Sequence, residues 1–548
     1  MGVHMEPRGT GEVPSPKTLQ GTSLMTAIPD WPEAPGPRVL TLAGNDLTID
    51  ARARKTASSL SRAGCSVVAI GVDSTGTLNR SEELDGALLF RVTPSLDSRL
   101  SPRSFRLSRA EIRDSLNQRL NMRRARLNLR RRSFTAWRWW TTRQDPSWVQ
   151  WVGETAASIT RFVGVPEETR HRIRSRINRP LRKVDRFFRL GPKRARLKME
   201  QRFTEALTLV HKAFARSSDR APRAGNWRRD LPELHRYEAA IGSIVDVLEP
   251  DLIHVHDIFH LGLAARAKSR AGAGGRDMAI VYDAQEFIPG LPSNPRRRAA
   301  YTDLEEEYVG RVDAIVTVSE SLADLIESRY AVRPAIVLNA HDPTRATSAT
   351  PLRAVAGAPE SASLVVYVGG LAPDRGAETL LNSIAEWPTD AILVFVTNSH
   401  GGYADHVRSE LERQGLSSRV RFAPFVDPEA VVSYIESADV SVIPLSRDVI
   451  NYEVALPNKL FQSIHAGVPV VVSDNPEMSR FVTEWGIGEV FESGDSHSLA
   501  AAINKVLSER DRYVAPMQEP SLLDELSWER QANNLMKTYA SIGVQVGG

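Results

Sequence analysis

Two cations stand where this chain can place them on one anion. In residues 452–472, Tyr-Glu-Val-Ala-Leu-Pro-Asn-Lys-Leu-Phe-Gln-Ser-Ile-His-Ala-Gly-Val-Pro-Val-Val-Val, Pro457 suits a first helical turn, Gly467 and Pro469 stop the helix, and the run from Val468 to Val472 reads as a buried strand. Lys459 then falls in the first turn, where its charge opposes the helix dipole. An anion in front of both removes that conflict; a solvated surface lysine is the plain alternative. A second cation comes from Gly369-Gly370-Leu371-Ala372-Pro373-Asp374-Arg375-Gly376, which follows a strand directly and precedes a helix. Its glycines let the backbone approach a ligand and Arg375 offers a forked donor, although an Asp374–Arg375 pair pinning the turn would also explain it. Together Arg375, Asn458, Lys459 and a helix N-terminus make a diphosphate clamp that needs no metal.

The elements that must position these residues follow an α/β rhythm. Arg38 to Ala43 reads as a strand opening onto Gly44-Asn45-Asp46, with a helix over about 50–62, a break at Gly64 and a second strand over 66–71. That βαβ start requires a parallel sheet with a right-handed crossover. A third strand is expected over 86–93. After the break, a helix over 237–248 and strands over 251–257, 278–283, 314–319 and 335–339 continue the set. A second set starts at 364–369 and runs through 391–396, 420–422, 440–444 and 469–473, with helices expected over 376–386, 404–414 and 428–437. Two such domains in tandem place ligands at the carboxyl ends of their strands, in the cleft between them.

Length and composition bound the rest. At 548 residues the chain exceeds a single core. Residues 1–37, rich in Pro, Gly, Ser and Thr, read as a disordered leader; 38–97 and 237–340 form the first domain. Residues 341–362 read as a linker, 363–520 as the second domain, and 521–545 as a helix packing back on the body. No apolar run reaches the roughly 18 residues needed to span a bilayer, and no signal-peptide core is evident, so a cytoplasmic protein is expected. A single cysteine, Cys65, excludes an internal disulfide and a multi-cysteine metal centre. The net charge of +4 conceals an asymmetry, because residues 101–200 hold 27 Lys and Arg against 8 Asp and Glu. Residues 98–236 are expected to be an inserted helical region, with five of the ten tryptophans (Trp137, Trp139, Trp140, Trp148 and Trp151). Arg interleaved with Trp suits an anionic membrane surface. Nucleic acid is not expected, since no nucleic-acid fold accompanies the segment; a solvated arm pairing with acidic surface is the structural alternative.

The assembled pieces resemble family 4 of the retaining, nucleotide-sugar-dependent glycosyltransferases of GT-B fold. The matching stretches are Asn45-Asp46 with the following Arg-Lys-Ala helix and Gly64, Asp251-Leu-Ile-His-Val-His-Asp257, Tyr282-Asp283-Ala284-Gln285-Glu286, and Asp313-Ala-Ile-Val-Thr-Val-Ser319. In the second half they are Tyr367-Val-Gly-Gly-Leu with Arg375-Gly376, Arg419-Val-Arg-Phe, Ala438-Asp439-Val440-Ser-Val-Ile-Pro444, Leu456-Pro-Asn-Lys-Leu-Phe and Ala466-Gly-Val-Pro-Val-Val. The fold this implies is α/β: two Rossmann-like parallel-sheet domains facing across a cleft, with the basic helical insertion in the N-terminal half.

The resemblance implies a nucleotide-sugar donor on the second domain, as co-substrate with no metal or other cofactor, and a glycan or lipid-linked acceptor on the first. Transfer with retention follows. Arg375 matches a phosphate cation, Gln462 a ribose contact, Glu453 a contact to sugar hydroxyls, and His256 a residue beside the transferred sugar. Gly369 and Gly370 join the donor side; Gly44, Asn45 and Glu286 fall on the acceptor side. The chain departs from the family where Gly370 replaces a common Arg, Gln462 replaces Glu, and Glu453 precedes Gln462 by nine positions rather than eight. These departures leave two alternatives: a non-catalytic GT-B scaffold acting through the basic insertion, or a GT-B sugar-nucleotide epimerase. A lipid-linked acceptor would place the protein peripherally at the inner face of the membrane.

Overall fold

The computed structural model of the chain describes residues 28–94, 226–343, 346–397 and 402–546; most of the basic insertion lies outside them. The first sheet is built from β1 (Arg38–Leu42), β2 (Ser66–Val72), β3 (Ser81–Leu84), β4 (Ala87–Val92), β5 (Leu252–His256), β6 (Ala279–Ala284), β7 (Ala314–Thr317) and β8 (Ala335–Ile336). Its order is β3-β4-β2-β1-β5-β6-β7-β8, parallel throughout except for the antiparallel β3–β4 pair. The second sheet, β9 (Leu364–Val368), β10 (Ile392–Val396), β11 (Val420–Ala423), β12 (Val440–Ile443), β13 (Val470–Ser473) and β14 (Gly488–Phe491), runs β11-β10-β9-β12-β13-β14 and is all parallel.

Helices cover both faces, so the central strands lose the polar alternation of a half-exposed sheet. β2, β5, β9, β10, β12 and β13 are buried at every position, which is why they read as near-continuous Val/Ile/Leu runs. Strand order reverses between β1 and β5 in the first sheet and between β9 and β12 in the second. At such a reversal the connecting helices leave on opposite faces and open a crevice past the strand ends. Gly44 and His256 flank the first crevice, Gly369 and Pro444 the second.

Several boundaries differ from the sequence reading. Residues 28–37 belong to the body rather than to a disordered leader: Trp31 donates its indole N–H to the Leu248 carbonyl at 2.7 Å, and Gly36 donates to Gly64 at 2.9 Å. One aromatic anchor outweighs the Pro/Gly-rich composition around it. The helix expected over 237–248 begins at Pro232, and Trp227, 2% exposed, already packs in the first core, so residues 226–236 are not part of a separate insertion. The stretch read as a linker contains a helical turn, Leu352–Val355, whose Leu352 is fully buried against the second domain. The β3–β4 hairpin was missed; its two-residue Asp85-Gly86 turn, both residues at positive φ (51° and 83°), is the connection that matches the strand twist. The C-terminal helix Trp528–Ser541 crosses back to the first domain, where the Trp528 indole donates to Ser59 at 2.8 Å. None of the helices among the described residues is long and apolar enough to cross a membrane.

The first core also buries a carboxyl group. Glu305, 2% exposed, accepts from the hydroxyls of Tyr282 at 3.1 Å and Tyr330, and burial pushes its pKa up to about 7. The folded form therefore binds this proton more tightly than the unfolded chain. Its stabilising contribution is complete below the ordinary carboxyl value of 4.5 and is lost as pH rises toward 7. Glu305→Gln is expected to abolish that slope. In urea titrations the wild type should lose about 3 kcal/mol relative to the variant between pH 4.5 and 7; a pH-independent difference would refute the assignment.

Candidate active site

Lys459 is the second residue of the helix Asn458–His465, with Pro457 as its N-cap rather than its first helical residue. The side chain lies over the Tyr367 ring, Nζ 4.9 Å from the centroid. That ammonium nitrogen is buried and has no hydrogen-bond partner among the described residues. Burial first, and then Arg375, bring its pKa down to about 7. Gly369 makes this approach feasible: at φ 135° only glycine sits comfortably, and a Cβ there would lie 3.3 Å from Nζ.

Arg375 reaches the same turn. Its guanidinium donates to the Gly370 carbonyl at 3.3 Å, the Tyr367 hydroxyl donates to that oxygen at 2.9 Å, and Tyr452 hydrogen-bonds the guanidinium. A Cβ on Gly370 would meet Arg375 at 3.5 Å, so a larger residue there must share space with the guanidinium. Gly376 closes the loop at φ 69°, where a Cβ would lie 2.1 Å from the Pro444 carbonyl. The loop after β9 is thus pressed against the end of β12 at the switch point, and both cations converge on it.

The same helix turns a different side to the domain junction. Asn458 and Gln462, one turn apart, line a cavity of about 40 Å³ with Lys55, Asn339–Asp342, Pro428 and Glu429. Lys55, which the sequence reading did not single out, holds the interdomain crossing by donating to Asn339 at 3.2 Å and to the Ala340 carbonyl at 2.5 Å. Its pKa falls to about 7, through burial and then Arg52. Gln462 and Lys459 therefore serve neighbouring but distinct spaces.

On the first domain His256, the last residue of β5, is fully buried rather than open to the cleft. Its Nδ1 lies 3.2 Å from Asp283, and its Nε2 has no partner among the described residues. Asp283 is a hub. Arg52 grips both its oxygens at 2.6 and 2.9 Å, and His254, bound by the Tyr539 hydroxyl at 2.7 Å, lies 3.5 Å away. Burial opposes ionisation of Asp283, but Arg52 and the two histidines outweigh it and hold the carboxyl well below its usual range. His254, His256 and Asp283 have the residue types of a metal site, with ligand atoms within 4.8 Å. Arg52 already occupies both carboxylate oxygens, so the cluster is an ion-pair network.

The remaining sequence candidates divide. Gly44 is required by packing, since a Cβ would sit 2.5 Å from the Phe259 ring. Asn45 spends its side chain on its own loop, accepting from Leu47 at 3.0 Å and donating to Asp50 at 2.7 Å, so its amide is structural. Glu286 is exposed beyond β6. Glu453 is buried at the end of a short helix, Ile450–Glu453. That helix is clamped between the domains: Asn451 accepts from the Phe287 backbone at 2.7 Å, and Ser319 donates to the Val454 carbonyl at 2.6 Å.

Comparison with known proteins agrees with this architecture. The family described as Glycosyl transferases group 1 matches residues 349–519, and Glycosyltransferase Family 4 matches residues 200–345. D-inositol 3-phosphate glycosyltransferases are similar in sequence. The one from Corynebacterium urealyticum is 28% identical over 255 residues, 43% of this chain and 59% of the relative. That from Geodermatophilus obscurus is 26% identical over 346 residues, 58% of this chain and 74% of the relative. The sucrose-phosphate synthase structure from Thermosynechococcus elongatus superposes with a TM-score of 0.58 at 13% identity, covering 92% of this chain and 99% of that one. Each half of the chain thus matches a glycosyltransferase family model, and the two-domain architecture is that of the GT-B fold.

Proposed function

We propose that this glycosyltransferase takes its sugar from a nucleoside-diphosphate sugar held by Lys459, Arg375 and the N-terminus of the helix Asn458–His465. The observation that carries the reading is the buried, unpartnered Nζ of Lys459 beside Arg375. Burial and the neighbouring Arg375 make the charge on Lys459 unfavourable until an anion enters. As the sugar departs, charge builds on the leaving diphosphate, and donors already in place stabilise it without reorganisation. No carboxylate is assigned as a covalent nucleophile, so the acceptor hydroxyl attacks from the face the diphosphate leaves, with retention, and no metal is needed. His256, buried in the free protein, meets the reacting sugar from the first domain only when donor binding uncovers its Nε2. Gln462 and Asn458 serve the nucleoside, and Glu453 the sugar hydroxyls.

Calorimetric titration of UDP, GDP and ADP tests the clamp. Lys459 is half neutral near pH 7 when free, and a bound diphosphate raises its pKa. Affinity should therefore be flat below pH 7 and weaken above it, approaching about tenfold per unit until the bound pKa is reached. Proton uptake, read from buffers of different ionisation enthalpy, should vanish in Lys459→Met. Failure of all three nucleotides to bind would remove the reading.

The acceptor is a hydroxyl of a glycan or lipid-linked sugar, and residues 101–200 hold the protein peripherally on an anionic membrane, at its cytoplasmic face. Their 27 basic against 8 acidic residues and five tryptophans support this placement. The full-length chain should sediment with phosphatidylglycerol vesicles and not with phosphatidylcholine vesicles; equal sedimentation with both would refute an electrostatic attachment.

A further inference from the structure

We propose that Asn451 reads the transferred sugar: its side-chain amide N–H donates to a hydroxyl of the sugar attached to the diphosphate. The inference deepens the nucleotide-sugar reading and rests on it. Asn451 is 7% exposed, so its polar atoms are shielded from water and require partners. Oδ1 has one, the backbone N–H of Phe287 at 2.7 Å. Only the oxygen of the amide can accept, which fixes its orientation and leaves Nδ2 as the other end. Nδ2 has no partner among the described residues. A buried donor with two hydrogens and no acceptor is a vacancy that a ligand oxygen fills.

Position identifies which oxygen. Phe287 lies three residues past β6, and β6 pairs with β5 so that His256 stands opposite Asp283. The residue after Asn451, Tyr452, hydrogen-bonds Arg375. Asn451 therefore bridges the strand ends of the first sheet and the cation pair of the second. A diphosphate seated on Arg375 and Lys459 carries the nucleoside on one side and the sugar on the other, and Gln462 and Asn458 face the junction cavity rather than Asn451. The group directed toward Phe287 and His256 is the sugar.

Two variants of the full-length protein test this. Asn451→Asp keeps an oxygen for the Phe287 N–H and the volume of the side chain but deletes the donor; Asn451→Ala deletes both. Binding is measured for the pairs UDP and UDP-glucose, GDP and GDP-mannose, and ADP and ADP-glucose, with thermal melting to confirm folding. For the pair that the wild type binds, the affinity of the sugar nucleotide relative to its diphosphate is expected to fall about tenfold in both variants. Measured at about pH 5.5, where the terminal phosphate of a free diphosphate keeps its last proton and both ligands carry about two negative charges, the added charge of Asn451→Asp acts on both ligands of a pair alike and cancels in the ratio. An unchanged ratio in folded Asn451→Asp overturns the proposal while leaving the clamp intact. Equal loss of diphosphate and sugar nucleotide in Asn451→Ala also overturns it, because the amide would then act on Arg375. No binding of any diphosphate by the wild type overturns this inference and the nucleotide-sugar reading together.

Discussion

Lys459→Met is expected to lower donor turnover by about 100- to 1,000-fold without lowering the melting temperature. Methionine keeps the unbranched stem over Tyr367 and removes a charge that is buried beside Arg375 with no partner. Removing an uncompensated buried charge relieves the apo protein, so stability should hold or rise while activity collapses. Loss of activity accompanied by loss of folding would assign Lys459 to structure instead. Arg375→Met should cause a loss of similar size, and the double variant should fall well short of the product of the two, because both cations act on one leaving group. Donor hydrolysis without acceptor, followed by nucleotide release, separates this effect from acceptor binding.

The second large effect is on stability. Asp283→Asn is expected to destabilise the first domain by about 3–5 kcal/mol, since it leaves the Arg52 guanidinium, 2% exposed, without its bidentate partner. Arg52 also donates to the Val337 carbonyl at 3.0 Å, so the helix Ala51–Arg62 and the start of the domain crossing loosen together. Adding Arg52→Met to Asp283→Asn should recover much of the loss, because the pair is then replaced by groups that need no counterion. Urea unfolding of the two single variants and the double variant measures the coupling; additive losses would contradict a shared hub. Below the unfolding range, folded Asp283→Asn should still turn over more slowly than wild type, through a displaced His256 ring.

How much of this was legible beforehand follows from where the information sits. The central strands were plain, because a parallel sheet covered on both faces writes itself as unbroken apolar runs such as Val67 to Ile70. The β3 strand was not, because Ser81-Glu-Glu-Leu84 lies on an edge where polarity is tolerated, and only the Asp85-Gly86 turn announced it. Arg375 and Lys459 were legible as a pair because each occupies a local frame, a glycine turn and a helix start, that constrains what a cation can do there. Arg52 with Asp283, separated by 231 positions, and Phe287 with Asn451, separated by 164, carry no local signature: an arginine in a helix and an asparagine in a short helical turn look ordinary until the fold joins them. His256 could be placed at a strand end from the sequence, but its burial and its anchoring to Asp283 were tertiary facts. The local bonds of Asn45 were not legible either, since a polar residue after a strand serves its own turn as readily as a ligand.

The polypeptide passes between the two lobes once after Leu338 and again just ahead of Trp528, and the two passages touch at His341 and Ser527. His341 and Ser527 form a parallel bridge, and the Trp528 N–H donates to the His341 carbonyl at 2.8 Å. Two strands laced at one point act as a pin. They permit swinging about a single axis and resist shear and separation. Opening between the lobes about this pin would have to break the Phe287–Asn451 and Ser319–Val454 hydrogen bonds, which latch the junction at a second place.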